Sequence, residues 1–148
     1  MRRNKETIGN QEWPDRQGEA RVLVENSDGA QEWALQGILG AAGYDVAVCP
    51  GPSRARRVRC PLVEDGQCAL AEGADVVLNS LSLSQQTSRD VIRSLRAQLP
   101  ETPVVVEVTT SGAQLHADTL DGCLVERLPM TRERVPDAIS EALSSTRR

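Results

Sequence analysis

Three cysteines and four arginines share one short stretch of the chain. Cys49, Cys60 and Cys68 follow a C-x10-C-x7-C spacing, and Arg54, Arg56, Arg57 and Arg59 lie between the first two. Thiolates can hold Zn²⁺ or an iron–sulfur cluster, with a fourth ligand from elsewhere. No C-x2-C pair is present, so the spacing leaves three readings open. One is such a metal site. Another is a reversible Cys60–Cys68 disulfide, since neighbouring arginines lower thiol pKa values and make sulfur reactive. The third is ordinary reduced thiols and no cofactor, and this is the expectation taken forward. Cys123, far along the chain, reads as a core residue.

The arginine run is either a solvated loop or a site for an anion: phosphate, an acidic protein face or nucleic acid. Its surroundings are acidic. Of 17 basic and 21 acidic groups, residues 1–20 hold four of each and residues 50–60 hold four Arg and no acid. An isolated basic tract on an acidic body argues against sequence-specific DNA binding. With two Trp, one Tyr and no Phe, the chain lacks the aromatics of a base-stacking surface. His116 is the only histidine and falls in weakly patterned sequence. NSLSLS lacks the glycines of a nucleophile elbow. NSDGAQEW is a poor flavin-phosphate loop. These absences lead to the expectation that the chain is not an enzyme.

The chain of 148 residues is expected to form one domain over residues 21–145, after a flexible tail at residues 1–20. Trp13 is the tail's exception, either mobile or docked. Apolar runs at 21–26, 44–49, 75–80, 103–108 and 123–128 read as five buried strands. Helical stripes lie between them. Ala34, Leu35, Ile38, Leu39 and Ala42 share one face. So do Ser88, Val91, Ile92, Leu95 and Leu99, a helix that Pro100 ends. The last helix starts near Val135, which places Pro136 in its first turn. A short helix is expected at 68–73 and a weak one at 113–118, with the intervening TTSG a polar loop. Residues 50–68 form a long loop, and long loops are often functional. Gly37, Gly40 and Gly43 lie within or at the end of a helix, so they form no dinucleotide fingerprint. Strands alternating with helices imply an α/β fold with a parallel sheet. Ligands in such sheets bind at the carboxyl ends of the strands. No apolar run is long enough to span a membrane. The first 20 residues lack a secretory core, so the expected location is cytoplasmic.

RVLVENSD, GYDVAVC, ADVVLNSLSLS, TPVVVEVTT and GCLVERLP together resemble the response-regulator receiver domain, a flavodoxin-like fold. The resemblance covers roughly residues 20–145. It implies a five-stranded parallel sheet of order 2-1-3-4-5 with helices on both faces. It also implies a pocket in which two acids after the first strand bind Mg²⁺ and an aspartate ending the third is phosphorylated. Here Glu25 and Asn26 take the acidic places, with Asp28 nearby, and Ser80 takes the aspartate's. Thr109 or Thr110 stands for the hydroxyl after the fourth strand. Glu126, or Leu128 if Pro129 is matched, replaces the Lys before the final Pro. Arg127 is no substitute, because its planar fork places charge differently from an ammonium. The expectation is a degenerate, non-phosphorylatable receiver acting through protein partners, a homodimer among them, over residues 110–143. Three readings compete with it: a metal or redox sensor built on Cys49–Cys68, a small enzyme of a chemistry not evident from its residues, and a small α/β protein without receiver ancestry.

Overall fold

The computed structural model describes residues 12–18 and 20–145. The elements, in chain order, are β1 (Arg21–Glu25), α1 (Gly29–Ala41), β2 (Asp45–Cys49), α2 (Pro61–Asp65), α3 (Ala69–Gly73), β3 (Val76–Asn79), α4 (Gln86–Gln98), β4 (Val104–Val108), α5 (Thr110–Leu115), β5 (Leu124–Arg127) and α6 (Arg134–Ser145). All strands are parallel, in the expected order β2-β1-β3-β4-β5. Glu25 lies beside Cys49 on one side and Asn79 on the other. No helix of the described residues is long and apolar enough to cross a membrane.

Side chains alternate across a strand, so each strand feeds two core layers. Leu23, Val77, Val104 and Val106 pack with Val91, Ile92 and Leu95 of α4, Leu62 of α2, and Leu70 and Ala71 of α3. Val22, Val24, Val76, Leu78 and Val105 pack with Leu39 of α1 and Val135, Ala138, Ile139 and Ala142 of α6. Both layers are aliphatic, as a chain without Phe requires.

Three expectations change. Residues 50–68 are not a plain loop. Ser53 and Val58 form an antiparallel bridge, closed by backbone bonds of 3.0 and 2.8 Å, and α2 follows with Pro61 in its first turn. TTSG is not a loop either. The Thr109 hydroxyl accepts the Gly112 amide at 3.0 Å, which caps the first turn of α5. The stripe of α1 packs less than its pattern predicts. Leu39 alone is fully buried, Leu35 and Ile38 are half-buried, and Ala34 and Ala42 face outward. The helix is apolar nearly all round, so the pattern did not single out one face. The last helix starts at Arg134, beside the expected Val135, with Pro136 in its first turn, and the Thr131 hydroxyl accepts the Arg134 amide at 3.1 Å.

The expected tail is also docked over the residues described. The Trp13 indole donates to the Leu70 carbonyl at 2.8 Å, and the Arg21 guanidinium lies 5.4 Å from its ring. Gly73 is required beneath it, since a Cβ there would lie 2.6 Å from the indole. Asp45 accepts the Gln17 and Gly18 amides, and Asp75 accepts from Arg16 and the Arg21 amide. These contacts strap residues 12–18 across the amino ends of β1, β2 and β3. Residues 1–11 lie outside the described residues. Replacing Trp13 by Ala removes a half-buried aromatic and its hydrogen bond, so we expect a loss of roughly 1–3 kcal/mol. Urea unfolding of the full chain measures it, and an unchanged midpoint would rule out the strap.

Candidate functional site

Burial of β1 and β3 on both faces leaves the polar residues at their carboxyl ends to find partners inside the protein. Glu25 is buried and accepts a hydrogen bond from Asn79 Nδ2 at 2.9 Å. Asn79 Oδ1 in turn accepts the Leu81 amide at 3.2 Å. The side chain of Glu25 has no basic partner among these contacts, and burial raises its pKa to about 7, opposed only by the Asn79 bond. Asn26 is buried as well. Its carbonyl accepts the Asp28 amide at 2.8 Å and its amide donates to Gln31 at 3.2 Å. Asp28 caps α1 by accepting the Ala30 and Gln31 amides. The three residues expected at an acidic pocket therefore have separate tasks: one buried acid, one turn, one helix cap.

Ser80 follows β3 and its hydroxyl donates to Glu107 Oε1 at 2.9 Å. The other oxygen, Oε2, accepts the Met130 amide at 2.8 Å. Glu107 escaped the sequence reading. Its signal was a lone acid inside the apolar run PVVVEV, but its partners depend on register between distant strands. Thr109 does not join Ser80, because it caps α5. Glu126 does not confront Ser80 either. It accepts from Arg134 Nε, at 3.2 Å, and Nη2, and Arg134 also binds Glu141. An arginine of α6 therefore pairs with the carboxylate that stands in the expected place of the Lys.

The cysteine loop also departs from expectation. Cys49 is buried and Cys60 and Cys68 are half-buried, near enough to Glu25 for its charge to act on all three. Burial, rather than arginine, dominates their chemistry. It pushes Cys49 far up and Cys60 to about 11, and it raises Cys68 and Cys123. Arg59 is turned away to Glu64. Arginine-activated thiols are therefore not what the loop presents. All four cysteines are free. Among the described residues, no group of three or more His, Cys, Asp and Glu side chains is arranged to hold a metal ion. Cys49, Cys60 and Cys68 do not form the ligand set considered from their spacing. Arg54, Arg56, Arg57 and Arg59 are exposed around the Ser53–Val58 turn.

A groove of about 760 Å³ runs between α1 and the segment joining β5 to α6. Trp33, Leu35, Ile38, Leu128, Pro129 and Met130 line it, with Glu107 at its end. Trp33 is 78% exposed. Leu115, Leu124, Val125 and Leu128 are also exposed, around α5 and the edge strand β5.

Glu25 makes stability depend on pH. Its folded pKa, about 7, exceeds the ordinary 4.5, so the native state holds a proton that the unfolded chain releases. The stability contribution is fully present below pH 4.5 and is lost as pH rises through 7, a change of roughly 3 kcal/mol. Glu25→Gln is expected to flatten that slope. Denaturant midpoints across the window measure this, and an unchanged slope in the variant would assign it elsewhere.

No family model matches the chain, and no curated protein matches it. Solved structures do. A response regulator receiver domain protein from Clostridium thermocellum superposes with a TM-score of 0.66 at 17% identity, covering 87% of this chain and 98% of that one. The receiver domain of nitrogen regulatory protein C gives 0.66 at 14%, over 87% and 98%. A putative pilus assembly protein from Burkholderia thailandensis gives 0.65 at 19%, over 85% and 99%. The chain has the fold of these proteins, two of them receiver domains.

Proposed function

We propose that this chain is a receiver-like regulatory module that signals through protein contacts and carries no aspartyl phosphate. One observation carries the reading. The residue that follows β3 is Ser80, and its hydroxyl is bonded to Glu107 rather than facing a cluster of acids. A serine cannot form an acyl phosphate. Glu107 puts a carboxylate where an incoming phosphoryl group would need a cation. The only lysine of the sequence is Lys5, outside the domain. Asn26 supplies no carboxylate to a hard cation. The neighbours of like fold lend the regulatory context, by analogy of fold.

The contact surface in this reading is the one formed by α5, β5 and α6, within residues 110–143. Exposed Leu115 on α5 and exposed Leu124 and Val125 on the edge strand support it, because exposed apolar surface marks interaction sites. The partner is a protein, with a second copy of the chain as one form. Nucleic acid fits poorly, since the arginine turn is a small island on an acidic body. The reading includes a cytoplasmic location, no enzymatic turnover and no resident metal. The last is supported by the raised thiols and by the lack of a converging donor set among the described residues.

Incubation of the purified chain with acetyl phosphate and Mg²⁺, followed by intact mass and peptide mapping, tests the central claim. No phosphoryl adduct is expected, and zinc and iron on the same sample are expected below one per chain. Stoichiometric labelling of one defined acid would overturn it. Sedimentation tests the surface in its self-associating form. Leu115→Asp and Val125→Asp are expected to shift any dimer toward monomer by tenfold or more. A dimer indifferent to both substitutions places the contact elsewhere.

A further inference from the structure

The turn that carries the arginines folds back over the carboxyl end of the sheet and closes a small cavity there. The cavity measures about 230 Å³. Its polar lining comes from Ser27 after β1, Ser53 and Arg56 of the arginine turn, Ser82 after β3, and Gln85 and Ser88 at the start of α4. Neither Ser80 nor Glu107 takes part. The sheet order reverses between β1 and β3, and the loops after those two strands form the crevice where open α/β sheets bind ligands.

Three features give the cavity its chemistry. No carboxylate lines it, although the chain is acidic overall. It contains one cation, Arg56. It lies at the amino end of the 13-residue helix α4, whose cap residue Gln85 makes no side-chain bond and whose first turn carries no acid. A further observation concerns a side chain. Ser88 is 5% exposed, lines the cavity, and its hydroxyl bonds to no group of the described chain. Its oxygen is not sealed off, so a group in the cavity can reach it. Ser53 adds a second donor. Its oxygen already accepts the Arg56 amide at 3.2 Å, which leaves its proton to donate. The walls are rigid. Gly51 has φ +79, and a Cβ there would lie 2.8 Å from Leu81, so the loop after β2 presses directly on the loop after β3.

We propose that this cavity binds a phosphate group, held by Arg56, the hydroxyls of Ser53 and Ser88 and the first turn of α4. Its volume is below the about 300 Å³ at which pockets take drug-sized ligands. It is large enough for inorganic phosphate or the phosphate of a small monoester. The site is separate from the Ser80–Glu107 pair and stands whether or not the chain signals through protein contacts.

Titration calorimetry on the full chain, at fixed pH and ionic strength, tests this with inorganic phosphate and glycerol 3-phosphate as probes. Saturable one-site binding is expected. Ser88→Ala and Arg56→Gln should each weaken it at least tenfold. Arg54→Gln, on the same turn but outside the cavity, should leave it unchanged. Arg56 is exposed, so its replacement keeps the test open even if the Ser88 variant folds poorly. Tighter binding of glycerol 3-phosphate assigns a monoester, and equal binding assigns the phosphate group alone. Saturable binding of neither probe, or equal losses from Arg54→Gln and Arg56→Gln with Ser88→Ala unaffected, overturns the proposal.

Discussion

Burying β1, β3 and β4 on both faces is the constraint from which the rest of the structure follows. A parallel strand covered twice carries apolar side chains in both directions, and Val22–Val24, Val76–Leu78 and Val104–Val106 do so. Polar residues are then confined to the strand ends. There they must bond to one another, because an unpaired polar group in the interior costs more than a bond returns. Glu25 meets Asn79, and Ser80 meets Glu107. Each bond joins neighbouring strands, β1 to β3 and β3 to β4, so the sheet is stitched across its carboxyl end. In a receiver-like pocket those positions would converge on a cation and a phosphoryl group. Here Glu25 meets Asn79 and Ser80 meets Glu107.

The same constraint explains the fate of the cysteines. Cys49 ends β2 in line with Glu25 and so falls inside the sheet's cover. Cys60 and Cys68 precede the short helices α2 and α3, which lie over that face. Two helices of five residues cannot hold themselves, since helix nucleation is unfavourable and short helices depend on tertiary packing. Pro61, Leu62, Leu70 and Ala71 supply that packing, and the thiols are drawn in with them. Burial raises these thiols, and none of the four arginines is among the groups that act on them. Arg54, Arg56 and Arg57 remain exposed on the turn outside, while Arg59 pairs with Glu64.

How much of this was legible in the sequence depended on the range of the interaction. The strands were legible because each is an uninterrupted apolar run between polar breaks. α4 was legible because Val91, Ile92 and Leu95 repeat at helical spacing. α2 and the first turn of α5 were not, because five or six residues are too few to show a period. α1 misled for the opposite reason, being apolar on nearly every face. At the site, Ser80 and Glu25 were placed at the right strand ends, yet their partners were not foreseen. Glu107 reaches Ser80 across 27 positions, and no local pattern encodes register between β3 and β4. Arg134, which occupies Glu126, lies beyond a turn and on another element. The Trp13 strap was invisible for the same reason: a tryptophan among polar residues carries no information about the groove that receives it.

Glu107 ties the stitched end of the sheet to the most apolar part of the surface. One of its oxygens takes the Ser80 hydroxyl and the other takes the Met130 amide, and both Glu107 and Met130 line the groove under α1. The segment from β5 to α6 is therefore held by a group that belongs to β4, rather than by packing alone. Its neighbours in the groove, Trp33 and Leu128, remain in water at a cost that burial against another surface would recover, about 25 cal/mol per Å² of apolar area covered. An aromatic as large as Trp, left outside on a helix that had ample apolar surface to turn inward, is not explained by the needs of the core. Leu39 already fills the core position of α1. The exposed side of that helix is thus surplus to folding. Together with the open edge of β5, it lies apart from the cavity beneath the arginine turn.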